Sequence, residues 1–160
     1  MKSAASKTEV NRMIDELLIG KLEPLFPSFH KFMDAFTKFS FSKEKLASNV
    51  KAKYALYKLN CIYSRNEIFE DGMTVEHIAP ESESTDNRCI GNLILLERRL
   101  NGEAGEQDYQ AKKAVYAKSK SPWVAAFVAE YEDWDISKFD LRARQMARDY
   151  YEKIFGKKVD

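Results

Sequence analysis

Apolar positions near the amino end recur at helical spacing. Val10, Met13, Ile14, Leu17 and Leu18 fall three and four apart, and Ser6 or Thr8 is a candidate N-cap, so an amphipathic helix is predicted there. Pro24 and Pro27 interrupt the chain, and Ser28 then stands where it can cap a second helix bearing Phe29, Phe32, Met33 and Phe36. Phe39 and Phe41 extend that stripe into a predicted hydrophobic seam, and His30 beside it reads as surface or edge packing. Ser42 is placed to cap a third helix carrying Leu46, Val50, Tyr54 and Tyr57. After the turn signal Asp71-Gly72 the pattern changes. Met73 to His77 is short and partly β-branched, which suits a strand, and Pro80 cannot continue a ladder. The polar run 81–88 reads as loop. Ile90 to Leu96 returns as an apolar strand in which Gly91 permits a tight approach or a bulge. Glu97 to Asn101 favours a helix start, so this stretch reads strand, loop, strand, helix.

The rest of the chain is helical in pattern. Gly102 to Gly105 reads as a flexible link, and Glu106 to Lys118 as a helix with Tyr109, Lys112, Lys113 and Tyr116 at spacings of three and four. Lys112 and Lys113 are neighbours and cannot both face a core, so at least one is expected to be free for phosphate. Ser121-Pro122 is a strong helix start, followed by Trp123, Phe127 and Tyr131 on one face. Glu130, Glu132, Asp133 and Asp135 mark a turn. Ser137 is then placed to cap a last helix with Phe139, Ala143, Met146, Ala147, Tyr150 and Ile154 along one stripe, ended by Gly156. The fold class expected is α+β, mainly helical, with a small ββα unit embedded among the helices: 1–70 helical, 71–118 the ββα core, 119–160 the C-terminal helices.

Composition adjusts this picture only at the edges. A chain of 160 residues with 44% hydrophobic and 32% charged positions suits one globular domain. Its net charge of +1 argues against a polybasic nucleic-acid arm but not against a local basic face. The charge is uneven. Residues 1–70 carry a net +4 and 71–105 a net −4, so the central stretch would repel phosphate unless a cation offset it. Lys43, Lys45, Lys51, Lys53 and Lys58 lie among the tyrosines of the third helix. They read either as phosphate contacts or as a solvated face with snorkelling stems. Cys61 and Cys89 form no disulfide or zinc pattern, which suits a reducing, cytoplasmic setting. No apolar run approaches membrane length, and no leader-like segment opens the chain.

The chemistry concentrates in 74–101. Phosphodiester hydrolysis needs a base to activate water and positive charge on the leaving oxygen. Glu76 and His77 sit at a strand end three residues before Pro80, and Asn92 and Asn101 follow. Imidazole has a suitable pKa for the base. Carboxylate and amide oxygens are hard ligands suited to Mg²⁺ or Mn²⁺ and not to a closed zinc site. A second amide can accept the other imidazole proton.

The order E-H-I-x-P, then G-N-L-x-L-L, then N resembles the HNH (His-Me finger) nuclease motif, and more narrowly the C-terminal domain of GmrSD-type restriction endonucleases and related phage-defence proteins. Tyr109, Lys112, Lys113 and Tyr116 match that family's aromatic-x-x-Lys-Lys-x-x-Tyr segment, and Arg142 matches a recurring basic position. The resemblance implies a metal-dependent DNA endonuclease acting in anti-phage restriction. His77 would be the general base and Asn92 its orienter, with Glu76 and Asn101 at one Mg²⁺ or Mn²⁺ ion and Lys112, Lys113 and Arg142 on DNA. It also implies a separate nucleotide-handling or sensor domain or subunit, so that the chain would be one part of a larger whole. Two positions depart from the pattern: Glu76 stands where many HNH enzymes have Asp, and Glu81 where the family often has Gln. The alternative is a module that kept the fold and lost the chemistry. RNA as the substrate stays open.

Overall fold

A computed structural model describes residues 7–44, 46–65 and 72–159, with the side chains of 17–19 left aside. Ser6, Lys45 and Asp71, named above as a cap, a lysine and a turn residue, lie outside the described residues. Helix α1 (Lys7–Met13) runs on through a wider π-type turn. Then come α2 (Phe29–Phe36), α3 (Asn49–Tyr63), strand β1 (Met73–His77), strand β2 (Leu93–Glu97), α4 (Arg98–Ala104), α5 (Tyr109–Tyr116), α6 (Pro122–Glu130) and α7 (Phe139–Asp149). The fold is therefore α+β and mainly helical. No helix among the described residues is long and apolar enough to cross a membrane.

The two strands form one antiparallel ladder, with Met73 opposite Glu97, Val75 opposite Leu95 and His77 opposite Leu93. Leu93 to Leu96 are wholly buried, because helices cover both faces of β2. The core joins them to Leu56 and Leu59 of α3, Val124 of α6 and Met146 of α7. The phenylalanine seam expected near the amino end is real. Phe32 and Phe36 pack on Tyr150 and Tyr151 beyond α7, with ring centroids 5.5–5.8 Å from their partners. His30 pairs with Asp34 on the exposed side of α2.

Some boundaries differ from the sequence pattern for identifiable reasons. The third helix starts at Asn49 and not after Ser42. The Asn49 side chain folds back on Ser42 and on the Glu44 carbonyl, which holds Ser42 and Glu44 outside the helix. Ile90 to Asn92 is a single 3-10 turn and not strand. Asn101 and Gly102 lie inside α4, and the break comes at Gly105, whose φ of +52° suits glycine. Ser121 does cap α6 through the Val124 N–H, but Asp135, not Ser137, caps the turn before α7.

Gly91 is the close approach that its position suggested. A Cβ built there would lie 2.0 Å from the Phe139 carbonyl oxygen at the start of α7. Gly91→Ala should therefore push two backbones apart and destabilise the domain by about 1–3 kcal/mol, the usual range for overpacking. Thermal unfolding measures this, and an unchanged melting temperature would show that the contact is loose.

Candidate active site

The end of β1 delivers Glu76 and His77 into the interior, both only 4% exposed. They lead in different directions, as neighbours on a strand must. His77 points to the loop that follows the phenylalanine seam. Its Nε2 lies 2.9 Å from the Phe41 carbonyl oxygen. A carbonyl only accepts, so Nε2 carries the proton and Nδ1 keeps the lone pair in the neutral ring. Burial lowers the imidazole pKa, against the Phe41 bond and the nearby Glu81, so the ring favours the neutral, basic form.

The loop holding Phe41 is itself tied down by Glu81. Ser42 Oγ donates to Glu81 Oε1 at 2.5 Å, and the Lys43 N–H to Oε2 at 2.8 Å. Arg88 Nε lies 2.7 Å from Oε1, and His77 Nε2 lies 3.7 Å from Oε2. Burial acts to raise the Glu81 carboxyl, but the Ser42 and Lys43 bonds, His77 and Arg88 outweigh it and hold it below the usual range. Glu81 thus braces the carbonyl that orients the histidine.

Asn92 is fully buried, but it does not touch the imidazole. Its Oδ1 accepts from Ala79 N at 2.9 Å and from Trp134 Nε1 at 2.8 Å; its Nδ2 donates to Ala79 O at 2.8 Å and Asn87 O at 2.7 Å. Asn87 in turn donates to the Pro80 carbonyl. Asn92 therefore fixes the backbone just after His77, and the expected ring contact is replaced by that of Phe41. The amide is drawn there because Ala79, in the irregular segment beyond β1, has lost its ladder partner.

Glu76 faces α5. Lys112 Nζ donates to its Oε1 at 2.8 Å and to the His77 carbonyl at 2.6 Å, while Tyr116 Oη donates to the same Oε1 at 2.9 Å. Burial raises the Glu76 carboxyl, and Lys112 and Tyr116 pull against that. The expectation that Lys112 meets phosphate is corrected: the side chain is fully buried and spent inside the site. Arg142 is corrected likewise. It is 5% exposed, and its Nη1 donates to Gly91 O at 2.6 Å and Leu93 O at 2.8 Å. Lys113 is half-buried and reaches the Glu132 carbonyl at 3.0 Å.

Asn101, on α4, donates from Nδ2 to Val75 O at 3.0 Å. Glu76, His77 and Asn101 line one small cavity of about 200 Å³ with Lys43 and Glu106, whose side chains form an ion pair. Among the described residues no three His, Cys, Asp or Glu side chains gather as a metal cluster. What the cavity offers is sparser: Glu76 Oε2 and the Asn101 amide oxygen, neither engaged by a hydrogen bond among the described residues. Two hard oxygens fit a Mg²⁺-like ion, which keeps several waters and takes few protein ligands.

The family profile described as GmrSD restriction endonucleases, C-terminal domain, matches residues 26–149. The chain belongs to that family. No curated protein and no solved structure matches it. The matched span of the GmrSD C-terminal domain begins at the phenylalanine seam and ends with α7, so it takes in every residue of the cavity as well as Phe41 and Arg142. Sequence reasoning missed Phe41, whose contribution is a backbone atom, and Trp134, whose indole N–H reaches Asn92 across 42 positions. The only sequence signal for Glu81 was that it departs from the family pattern.

Proposed function

We propose that this GmrSD-type domain hydrolyses DNA phosphodiester bonds with one Mg²⁺ or Mn²⁺ ion, in the manner of an HNH nuclease, as the effector of a bacterial defence against phage. The observation that carries this reading is the His77 ring, with its Nε2 proton on the Phe41 carbonyl and its Nδ1 basic, beside a cavity shared with Glu76 and Asn101. His77 takes a proton from water at Nδ1, and the Phe41 carbonyl keeps the ring in place as charge develops. Asn92 holds the turn after β1 so that the ring stays at the cavity. Glu76 and Asn101 present oxygen ligands from β1 and α4, which with β2 make the ββα-metal frame. Lys112 and Tyr116 grip Glu76 Oε1 and leave Oε2 for the ion. The bound ion would stabilise the leaving 3′-oxygen. A nucleotide-handling or sensor unit would govern when this happens.

A second reading, a binding module without chemistry, draws on one observation: half of the Glu76 carboxylate is already spent in a buried ion pair. One assay separates the two. Supercoiled plasmid incubated with the protein and Mg²⁺ or Mn²⁺ should relax or linearise, EDTA should abolish this, and zinc should not replace the ion. Binding without cutting under either ion favours the module, and full-rate cutting in EDTA removes the metal from the mechanism. Structured RNA in parallel tests the substrate.

A further inference from the structure

A groove larger than the cavity of His77 lies beside it. It has a volume of about 830 Å³ and lies between α3, β1 and the first residue of α4. Lys53, Tyr54, Tyr57 and Arg98 line it, and Phe41 and Val75 form its end towards the active site. Val75 lines both spaces, and Phe41 is the residue whose carbonyl holds His77, so the two are adjacent. Tyr57 is fixed as a wall by its hydroxyl, which donates to the Met73 carbonyl at 2.7 Å, and Lys53 Nζ lies 5.8 Å from the centre of its ring. Tyr54 is 56% exposed.

The charge of this groove is one-sided. Many cations elsewhere on the surface are neutralised by neighbours, as in Lys43 with Glu106, Arg99 with Glu103 and Arg144 with Asp140. Lys53 and Arg98 are exposed, and neither forms an ion pair with a described carboxylate. No acidic side chain among the described residues lines the groove. Cations alternating with aromatic faces, beside a site for phosphate chemistry, match an unpaired nucleic-acid strand: the cations meet phosphates, and the rings meet bases of any identity. The volume is that of a ligand-sized site and holds on the order of two nucleotides, too little for a duplex to enter.

We propose that this groove carries the DNA strand flanking the cleaved phosphate as an unpaired segment, with Lys53 and Arg98 on its backbone and Tyr54 stacked on a base. This rests on the nuclease reading and deepens it, since it assigns the substrate a local opening of the duplex next to the cut. The test uses the full chain in EDTA, a single-stranded oligonucleotide carrying 5-iodouracil, and a duplex of the same sequence. Ultraviolet crosslinking followed by peptide mapping should place the adduct on Tyr54. Lys53→Glu with Arg98→Glu should weaken single-strand binding at least tenfold and lower the salt slope by about two phosphate contacts. Tyr54→Ala should remove the adduct. Both changes are at exposed positions, and unchanged melting temperatures would show that the fold is kept.

Plasmid nicking with Mn²⁺ is run alongside to separate two failures. Wild-type nicking together with unaltered binding and crosslinking by the charge-reversed variant overturns the groove assignment and leaves the nuclease. A Tyr54 adduct without nicking supports the groove and counts against the chemistry. An oligonucleotide that neither binds nor crosslinks, as when the groove seats a protein partner, overturns the groove assignment outright.

Discussion

His77→Ala should lower DNA cleavage by a factor on the order of 10²–10⁴, the range for a removed general base. The geometry makes the expectation specific. The ring has one nitrogen committed to the Phe41 carbonyl and one left basic, and burial keeps it neutral. Alanine takes away both the base and the donor to Phe41. The position is only 4% exposed, so the variant should also lose about 1–3 kcal/mol of stability, the cost of a buried carbonyl without a partner. Its burial gives this histidine a structural weight that a strand-end polar residue ordinarily lacks. Cleavage should therefore be compared at a temperature where both proteins are folded, as judged by circular dichroism. Wild-type rates from a folded His77→Ala protein would remove the base assignment.

Arg142→Ala should cost the fold and not merely the affinity for DNA. The guanidinium lies 4.9 Å from the Phe127 ring centre and 5.7 Å from those of Trp123 and Trp134. No carboxylate among the described residues forms an ion pair with it, and burial pushes its pKa down to about 10, so it remains charged at neutral pH. The rings supply the compensating negative faces. Truncation would leave the Gly91 and Leu93 carbonyls without their donor and open a cavity among the aromatics. Together these suggest a loss of about 3–5 kcal/mol, a large share of a marginal domain's stability, and a melting temperature lower by on the order of 10 °C. Arg142→Lys should rescue little, because a compact, strongly hydrated ammonium cannot lie flat against the three aromatic rings as the guanidinium does. An Arg142→Ala protein with the wild-type melting temperature and weakened DNA binding would restore the phosphate-contact reading.

These two residues illustrate what the sequence could and could not say. His77 was legible because a rare residue type stood at a strand end with glutamate, proline and two asparagines at suggestive spacings. The strands and most helices followed from periodicity and proline. Arg142 and Lys112 were misread because charge on a helical pattern ordinarily means solvent. What buries them is a set of backbone carbonyls and one carboxylate up to 51 positions away, invisible to local pattern. Asn92 was singled out as the orienter of the ring, but an amide can serve a ring or a backbone equally well, and only packing decides. Phe41 contributes through its carbonyl, which every residue possesses, so no side-chain pattern could have marked it.

The contact between Gly91 and Phe139, with Arg142 reaching over the same turn, bears on how this GmrSD-type domain could be cut down or transplanted. The stretch 72–118 looks like a self-sufficient cassette, since it holds both strands and every residue that lines the cavity except Lys43. It is not one. The floor of the turn that sets Asn92 is the opening of α7, and the carbonyls on either side of Asn92 depend on a donor fifty residues downstream. The carbonyl that steers His77 comes from the opposite direction, thirty-six residues upstream. The smallest portable unit therefore runs from the phenylalanine seam through α7, and a graft that omits either flank would carry the motif without the shape that makes it a site.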